Sequence, residues 1–409
     1  MSTSADQHAS STPRALPLAG VRVIAVEQYG AGPFGTMFLA DQGAEVIKVE
    51  NPNDGGDMAR SVGPYFMANG DSHFYHAFNR NKKSITLDLS KPDGQALLHQ
   101  LVGNADALTS NLRGDVPAKL GLTYASLSVH NPQLVCAHLS AYGRDGPRAN
   151  WPGYDYLMQA EAGYFSLTGE VDGPPTRCGL SLVDLMTGLG LAYSVLAALT
   201  AARTTGIGRD IDVSLFDVSL FNLSYLANWY LNAGAITTRL ARSAHPSLTP
   251  CQLYRSADGW IFLMCNKEKF WPALCRAIAR PEWSTDERFA TFKDRLAHRD
   301  LITELLDEAL SAKTTAEWLA IFAGSVPAAP ILDVAQALEN PFVTETGRLQ
   351  QLQLASGETF QMIAPPIRSA GVEPPSAPAP ALGANTDELL DELSIPAAER
   401  ARLRAAGVI

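Results

Sequence analysis

LAGVRVIAVEQYGAGPFGTMFLADQGAEVIKVE, residues 18–50, is the stretch whose reading decides the fold. VRVIAV (21–26) is a short β-branched run of strand character, and a glycine-rich turn follows it. FGTMFLADQGA then reads as a helix and AEVIKVE (44–50) as the next strand. Strand, helix and strand in so short a span imply parallel pairing, because the helical crossover returns the chain to run the same way again. The prediction is an α/β protein built on an open parallel sheet.

The pattern continues outward. KKSITLDLS (82–90) reads as a strand and PDGQALLHQLVGNA as a helix with Pro92 near its start. ALTSN and LVCAHLSAYG (134–143) continue the alternation. A long helix is expected over 185–203, ending near Gly206, followed by a strand that runs into a helix in RDIDVSLFDVSLFNLSYLANWYL. Near residue 234 the character changes. Residues 245–325 hold an aromatic strand pair, QLYRSADGWIFLMC, and charged helices carrying Trp271, Trp283 and Trp318. The expected division is a disordered tail over 1–16, a large domain over 17–233, a smaller α+β domain inserted at 234–325, and a return to the large domain over 326–409. In that last part PPSAPAPALGANT is a linker to a helix that Thr386 would cap.

Bulk properties exclude several classes. A net charge of −10 lacks the basic footprint of nucleic-acid binding. Five scattered cysteines without a CxxC pair fit neither a disulfide framework nor a zinc site, and point to a reducing cytosol. The polar first residues lack the apolar core of a signal peptide. The uncharged run Leu185–Ala202 approaches the length of a membrane span, but Thr187, Gly188, Gly190 and Ser194 dilute it, so a buried helix is expected and no membrane partner.

Candidate sites follow from particular residues. Gly30-Ala31-Gly32-Pro33-Phe34-Gly35 is a GxGxxG between strand and helix, with Glu50 ending the next strand, which is the form of a dinucleotide fingerprint. The alternative is a glycine-rich turn whose amides face another anion. Asp184 stands among Leu182, Val183, Leu185 and Met186 at the mouth of the long apolar run. It is either a helix N-cap or a carboxylate nucleophile at the positive end of that helix. Cys178 reads as core. His73 and His76 have no third ligand at metal spacing, and neither GxSxG nor a Walker sequence is present.

From residue 17 to the C-terminus an ordered set of stretches resembles the family III CoA transferases, a group that also contains 2-methylacyl-CoA racemases. They include the opening stretch, GGDMAR, NRNKKSITLDLSKPDG, ADALTSNLRGDVPAKLGL, AYGRDGPRANWPGYDYLMQAEAGYFSLTGEVDGPP, LVDLMTGLGLAYSVLAAL, TGIGRDIDVSLFDV, YRSADGWIFLMC and PALGANTDELLDEL. The resemblance implies a Rossmann-like large domain, an interlocked homodimer, and no permanently bound cofactor, a coenzyme A thioester being the substrate. It places the catalytic aspartate at Asp184, which attacks a donor acyl-CoA to give a mixed anhydride. CoA returns to form an aspartyl-CoA thioester, and an acceptor carboxylate takes CoA over through a second anhydride. Amides at 185–188 would support the oxyanions.

The resemblance assigns CoA contacts to Gly30 and Ala31, to Asn51 where other members have a phosphate-facing Arg, to Leu87, Asp88, Leu89 and Ser90 beside the adenine, and to Asn111, Leu112, Arg113 and Lys119. Arg113 and Lys119 are the expected phosphate partners. A glycine-rich loop that closes over the site in some members is AHPSLTP here. Gly153-Tyr154-Asp155, also counted among the CoA-binding residues, stands where racemases carry GHD. Racemisation needs a base on each face of the α-carbon, and a phenol is a poor base, so transfer is favoured over racemisation. The acceptor is expected to be a short carboxylic acid and the donor succinyl-CoA. The remaining alternatives are a 2-methylacyl-CoA racemase, an NAD-dependent oxidoreductase and a non-enzymatic acyl-CoA binder.

Overall fold

The computed structural model describes residues 15–409, so the tail expected over 1–16 falls, up to residue 14, outside the described residues. Two compact units divide the chain. The first holds the chain up to Ala162, Leu180–Leu223 and Thr346–Ile409; the second holds Gly163–Gly179 and Ser224–Glu345.

The first unit runs β1 (Arg22–Val26), α1 (Ala31–Asp41), β2 (Glu45–Glu50), α2 (His73–Asn79), β3 (Lys82–Thr86), α3 (Pro92–Gly103), β4 (Ala107–Ser110), α4 (Val116–Lys119), α5 (Tyr124–Leu127), β5 (Val135–Ser140), α6 (Asp155–Glu161), α7 (Leu182–Thr205), β6 (Arg209–Ser214) and α8 (Leu215–Asn222). All six strands pair parallel in the order β3-β2-β1-β4-β5-β6. The order reverses between β1 and β4. In a doubly wound sheet this switch point opens a crevice at the carboxyl ends of the strands.

The second unit contains α9 (Ser224–Ala233), β7 (Cys251–Ser256), β8 (Gly259–Met264), α10 (Phe270–Ala277), α11 (Phe292–Ala297), α12 (Arg299–Leu310), α13 (Thr315–Phe322), β9 (Ala328–Pro330), α14 (Val334–Leu338) and α15 (Pro341–Glu345). The expected strand pair is the β7–β8 antiparallel hairpin, and Trp271 and Trp318 lie in the core beneath it. This unit starts at Ser224, before the compositional change at 234. It passes residue 325 because β9 pairs with β8. The chain then returns through the hairpin β10 (Leu349–Gln353) and β11 (Thr359–Ile363) to α16 (Thr386–Glu392) and α17 (Ala397–Ala405).

Strand alternation gives the main sheet two unlike faces. Ile24, Ile47, Val49, Ile85 and Leu108 pack on Leu97, Leu98 and Leu101 of α3 and on Leu389, Leu390 and Leu403 of α16 and α17. The opposite face near α1 is ionic. Lys48 Nζ lies 2.8 Å from Asp57, Lys82 Nζ 2.8 Å from Glu27, and Arg60 Nη2 2.8 Å from Glu50, all buried. Buried charges survive only when paired and hydrogen-bonded. Thr386 is the first residue of α16 and not its cap; its hydroxyl accepts the Thr86 N–H at 3.0 Å, tying α16 to β3.

Helix α7 extends from Leu182 to Thr205, three residues earlier than expected, and ends at Gly206 in the left-handed conformation. By length and composition it could cross a membrane. Its face Val183–Thr187–Leu191–Val195–Ala198–Ala202 is buried, and it crosses α1 at two glycines. A Cβ on Gly35 would stand 2.4 Å from the Gly188 carbonyl oxygen, and one on Gly188 would stand 2.5 Å from that of Ala31. Backbone meets backbone here. Gly35→Ala and Gly188→Ala are therefore each expected to lower unfolding free energy by about 1–3 kcal/mol. Gly190→Ala, whose Cβ would have 3.6 Å of clearance, should be neutral or stabilising. Urea unfolding midpoints of the three variants test this.

Candidate active site

A cavity of about 450 Å³ opens at the switch point. The segment after β1 supplies Gln28, Tyr29, Gly30 and Ala31; the segment after β4 supplies Asn111, Leu112, Arg113 and Val116. The end of β5 contributes Leu139, Ser140 and Ala141, and Trp151–Tyr154 and Asp184 complete the wall with Met58 and Leu215. Of the residues assigned from sequence, Gly30, Ala31, Asn111, Leu112, Arg113, Gly153, Tyr154 and Asp184 are thus brought together.

Asp184 is not the helix cap. Ser181 holds the N-cap position without a side-chain cap bond, and Asp184 is the third residue of α7. Its Oδ2 faces Gly30 so closely that a Cβ there would stand 2.9 Å away. The N-terminal turn of α1, whose first amides have no partner within the helix, begins at that glycine. The carboxyl is largely buried. Burial, and then the negative charge of Asp155, push it up to about 7. The expected oxyanion donors at 185–188 are corrected: these residues lie inside α7, the Leu185 N–H donating to the Ser181 carbonyl at 3.1 Å, so their amides are spent along the helix. The first turn of α1 is the amide-rich end that faces Asp184.

The turn from β1 into α1 is fixed by two side chains. Asn111 Oδ1 accepts the Gln28 N–H at 2.8 Å, and its Nδ2 donates to the Gln28 carbonyl at 2.6 Å. Asp57 Oδ1 accepts the N–H of Tyr29, whose φ of +69° is the left-handed conformation. Asn111 also fills the space beside Gly32, where a Cβ would stand 2.8 Å from its own Cβ. All three fingerprint glycines are therefore explained by protein packing: Gly30 by Asp184, Gly32 by Asn111 and Gly35 by Gly188. The motif needs no dinucleotide.

The other assigned residues lie elsewhere. Asn51, Asp88 and Ser90 form a second cluster past the ends of β2 and β3. Asn51 caps the turn at 52–54, Asn53 Nδ2 donates to Asp88 Oδ2 at 3.1 Å, and Asp88 Oδ1 accepts the Ser90 hydroxyl at 2.6 Å. Leu87 and Leu89 send their side chains into the core, so only their backbone could face a ligand. Arg113 reaches the cavity but is held by Asp115 at 2.6 Å, and Lys119 binds the same carboxylate from outside it. Asp155 is buried away from the cavity lining, where its Oδ2 accepts the Asp184 N–H at 2.9 Å. Gly153 packs on Ala141, where a Cβ would collide at 2.4 Å. Tyr154 precedes α6 and stands more than half exposed at the cavity wall.

Sequence reasoning missed Met58, Ser140 and Trp151. Trp151 is half exposed, and the Arg148 guanidinium lies 4.8 Å from its ring centroid. A tryptophan directly before PGYD was the available signal.

The geometry defines an α/β enzyme with a poised carboxylate at the switch crevice. Comparison with known proteins says which. The model of CoA-transferase family III matches residues 18–386, and the chain belongs to that family. It is 36% identical over 386 residues to the succinate–glutarate CoA-transferase of Agrobacterium fabrum, covering 92% of this chain and 96% of that one. It is 37% identical over 362 residues to the acetyl-CoA:oxalate CoA-transferase of Acetobacter aceti, covering 88% and 90%. The crystal structure of a CAIB/BAIF family protein from Brucella suis superposes with a TM-score of 0.80 at 33% identity, over 93% of this chain and all of that one. The protein is a CoA transferase.

The Asp184 carboxyl has a consequence for stability. Its folded value, about 7, lies above the ordinary 3.8. Its contribution is therefore fully present below pH ~4 and is lost as pH rises through 7. Asp184→Asn should raise the melting temperature at pH 8 and leave it nearly unchanged at pH 4. Equal effects at both pH values in calorimetry would refute the assignment.

Proposed function

We propose that this protein moves CoA from an acyl-CoA donor to a short carboxylic acid through covalent intermediates on Asp184. The observation that carries the reading is the placement of Asp184, a largely buried carboxylate set against Gly30 at the mouth of the cavity. The Asp184 oxygen attacks the thioester carbonyl, the C–S bond breaks, and CoA leaves as thiolate from a mixed anhydride. The thiolate attacks the Asp184 carbonyl, releasing the donor acid and leaving an aspartyl thioester. An acceptor carboxylate attacks that thioester, and the thiolate then takes the acceptor acyl group and frees Asp184. Each step keeps the acyl group activated, so the thioester energy is retained. Ionised Asp184 is the attacking form, so kcat/KM should rise with pH through about 7.

CoA is long enough to run from the cavity along the carboxyl edge of the sheet. The cluster at Asn51, Asp88 and Ser90 lies two strand spacings from β1, roughly 10 Å away. Arg113, the one cation lining the cavity among the described residues, suits a phosphate or the far carboxylate of a diacid. Relatives named for glutarate and oxalate support a dicarboxylic acceptor, and succinyl-CoA is the proposed donor. Tyr154, in place of a histidine, supports transfer over racemisation.

A second copy is proposed to complete the enzyme. Met186, Leu189, Tyr193 and Leu196 form an exposed apolar stripe along α7, with Tyr193 75% exposed, and a patch at that spacing is what an interlocked dimer would cover. Cys136, Cys251, Cys265 and Cys275 are buried free thiols, which supports a cytosolic location.

A mass-spectrometric screen of acyl-CoA donors against carboxylic acids is expected to reveal exchange. Asp184→Ala should lower it by at least 10³-fold, and hydroxylamine should trap an adduct on the wild type alone. Full activity in the alanine variant contradicts the reading.

A further inference from the structure

The residue behind the nucleophile is built as carefully as the nucleophile. Asp155 opens α6 and is 4% exposed. Its Oδ2 accepts the backbone N–H of Asp184 at 2.9 Å. Its Oδ1 accepts from Gln159 Nε2 at 2.6 Å, and that same amide nitrogen donates to the Leu180 carbonyl at 3.0 Å. Asp155 and the fully buried Gln159 thus grip the start of α7 at two points, Leu180 before it and Asp184 within its first turn. Ser181 offers no side-chain cap. A carboxylate from another helix occupies the place of a cap, complementing the helix dipole.

This arrangement is electrostatically costly. A neutral Ser or Asn at position 155 would accept the same N–H without setting a second negative charge beside Asp184. After burial, the charge that raises the Asp184 carboxyl is that of Asp155, and just before α7 the Arg177 guanidinium donates to the Cys178 and Gly179 carbonyls. In α1 the one titratable side chain is Asp41, at the far end and paired with Arg80. In α6, Glu161 is bound by Arg148 and Tyr142, and Tyr156 is exposed. In α8, Asp217 is bound by Ser214. On β5, His138 lies between Ser110 and Asp210; on β6, Asp210 and Asp212 face Arg144, and Arg209 is exposed. In the cavity, Arg113 is bound to Asp115, and Tyr29 and Tyr154 line the wall.

We propose that Asp155 is a positioning residue for CoA transfer: it anchors the first turn of α7 through the Asp184 N–H and holds a like charge against the attacking carboxylate. The anchor fixes where the attacking oxygen sits relative to Gly30. The charge destabilises the ionised carboxylate before attack, and that repulsion falls once the oxygen is acylated and neutral. The same bond therefore orients the nucleophile and makes its ground state more reactive. The inference rests on Asp184 being the nucleophile.

The test uses the full chain with the wild type, Asp155→Asn, Asp155→Ser and Asp155→Glu. Asn and Ser both keep an acceptor for the Asp184 N–H and remove the charge, so a folding failure of one leaves the other to decide. Two readouts are taken: the pH profile of kcat/KM for CoA exchange, and hydroxylamine trapping on the Asp184 peptide. The neutral variants are expected to move the rising limb toward acid by about one pH unit or more. Asp155→Glu should keep the limb near its wild-type position. A merely structural role would change kcat and leave the limb in place. Superimposed limbs in a folded neutral variant whose Asp184 is still trapped overturn the proposal for Asp155 alone. Failure to trap Asp184 in the wild type overturns the nucleophile reading instead.

Discussion

Helix α7 can approach α1 only because Gly35 and Gly188 leave their backbones bare, and the site depends on that contact. A Cβ at either position would press into the facing backbone, so the helices would have to move apart. The first turn of α7 would then withdraw from the β1–α1 turn, and Asp184 from Gly30. The crossing thus converts a general property of doubly wound sheets, a crevice where strand order reverses, into a particular one: a carboxylate fixed at the mouth of that crevice.

Around this contact the chain places charge against charge. The β1–α1 turn is held by Asn111 and Asp57, and Asp57 is itself paired with Lys48 under the sheet. On the other side Asp155 holds the α7 turn. Asp184 sits between two supports, which suits a reaction that depends on the placement of one oxygen atom. The cost appears in its ionisation. A carboxylate in largely apolar surroundings beside a like charge is half protonated near neutrality. That proton is the counterpart of reactivity, since a well-solvated carboxylate would be ionised at all working pH values but a weaker attacker.

Much of this architecture could be read from the chain because it is local. The strand–helix–strand pattern of residues 18–50 and the uncharged run after Asp184 each report a packing environment in their own composition. What could not be read involves partners far apart in sequence. Asp184 reads as a possible cap because its surrogate, Asp155, lies 29 residues earlier. Lys48 and Lys82 alternate with apolar residues as surface lysines do, yet both are buried, because Asp57 and Glu27 meet them on the covered face. The glycines of GAGPFG resemble a phosphate cradle until Gly188 is seen against Gly35. Segment 163–179 joins the second unit through contacts that no local pattern announces.

The central claim is that an Asp184 oxygen becomes part of the intermediates, and oxygen bookkeeping tests it most directly. When the acceptor carboxylate attacks the aspartyl thioester, one acceptor oxygen remains on Asp184 after CoA departs with the new acyl group. Turnover with an acceptor acid labelled with heavy oxygen, followed by mass spectrometry of the proteolysed enzyme, should place the label in the peptide carrying Asp184 and nowhere else. Product formed with that peptide unlabelled would contradict the account.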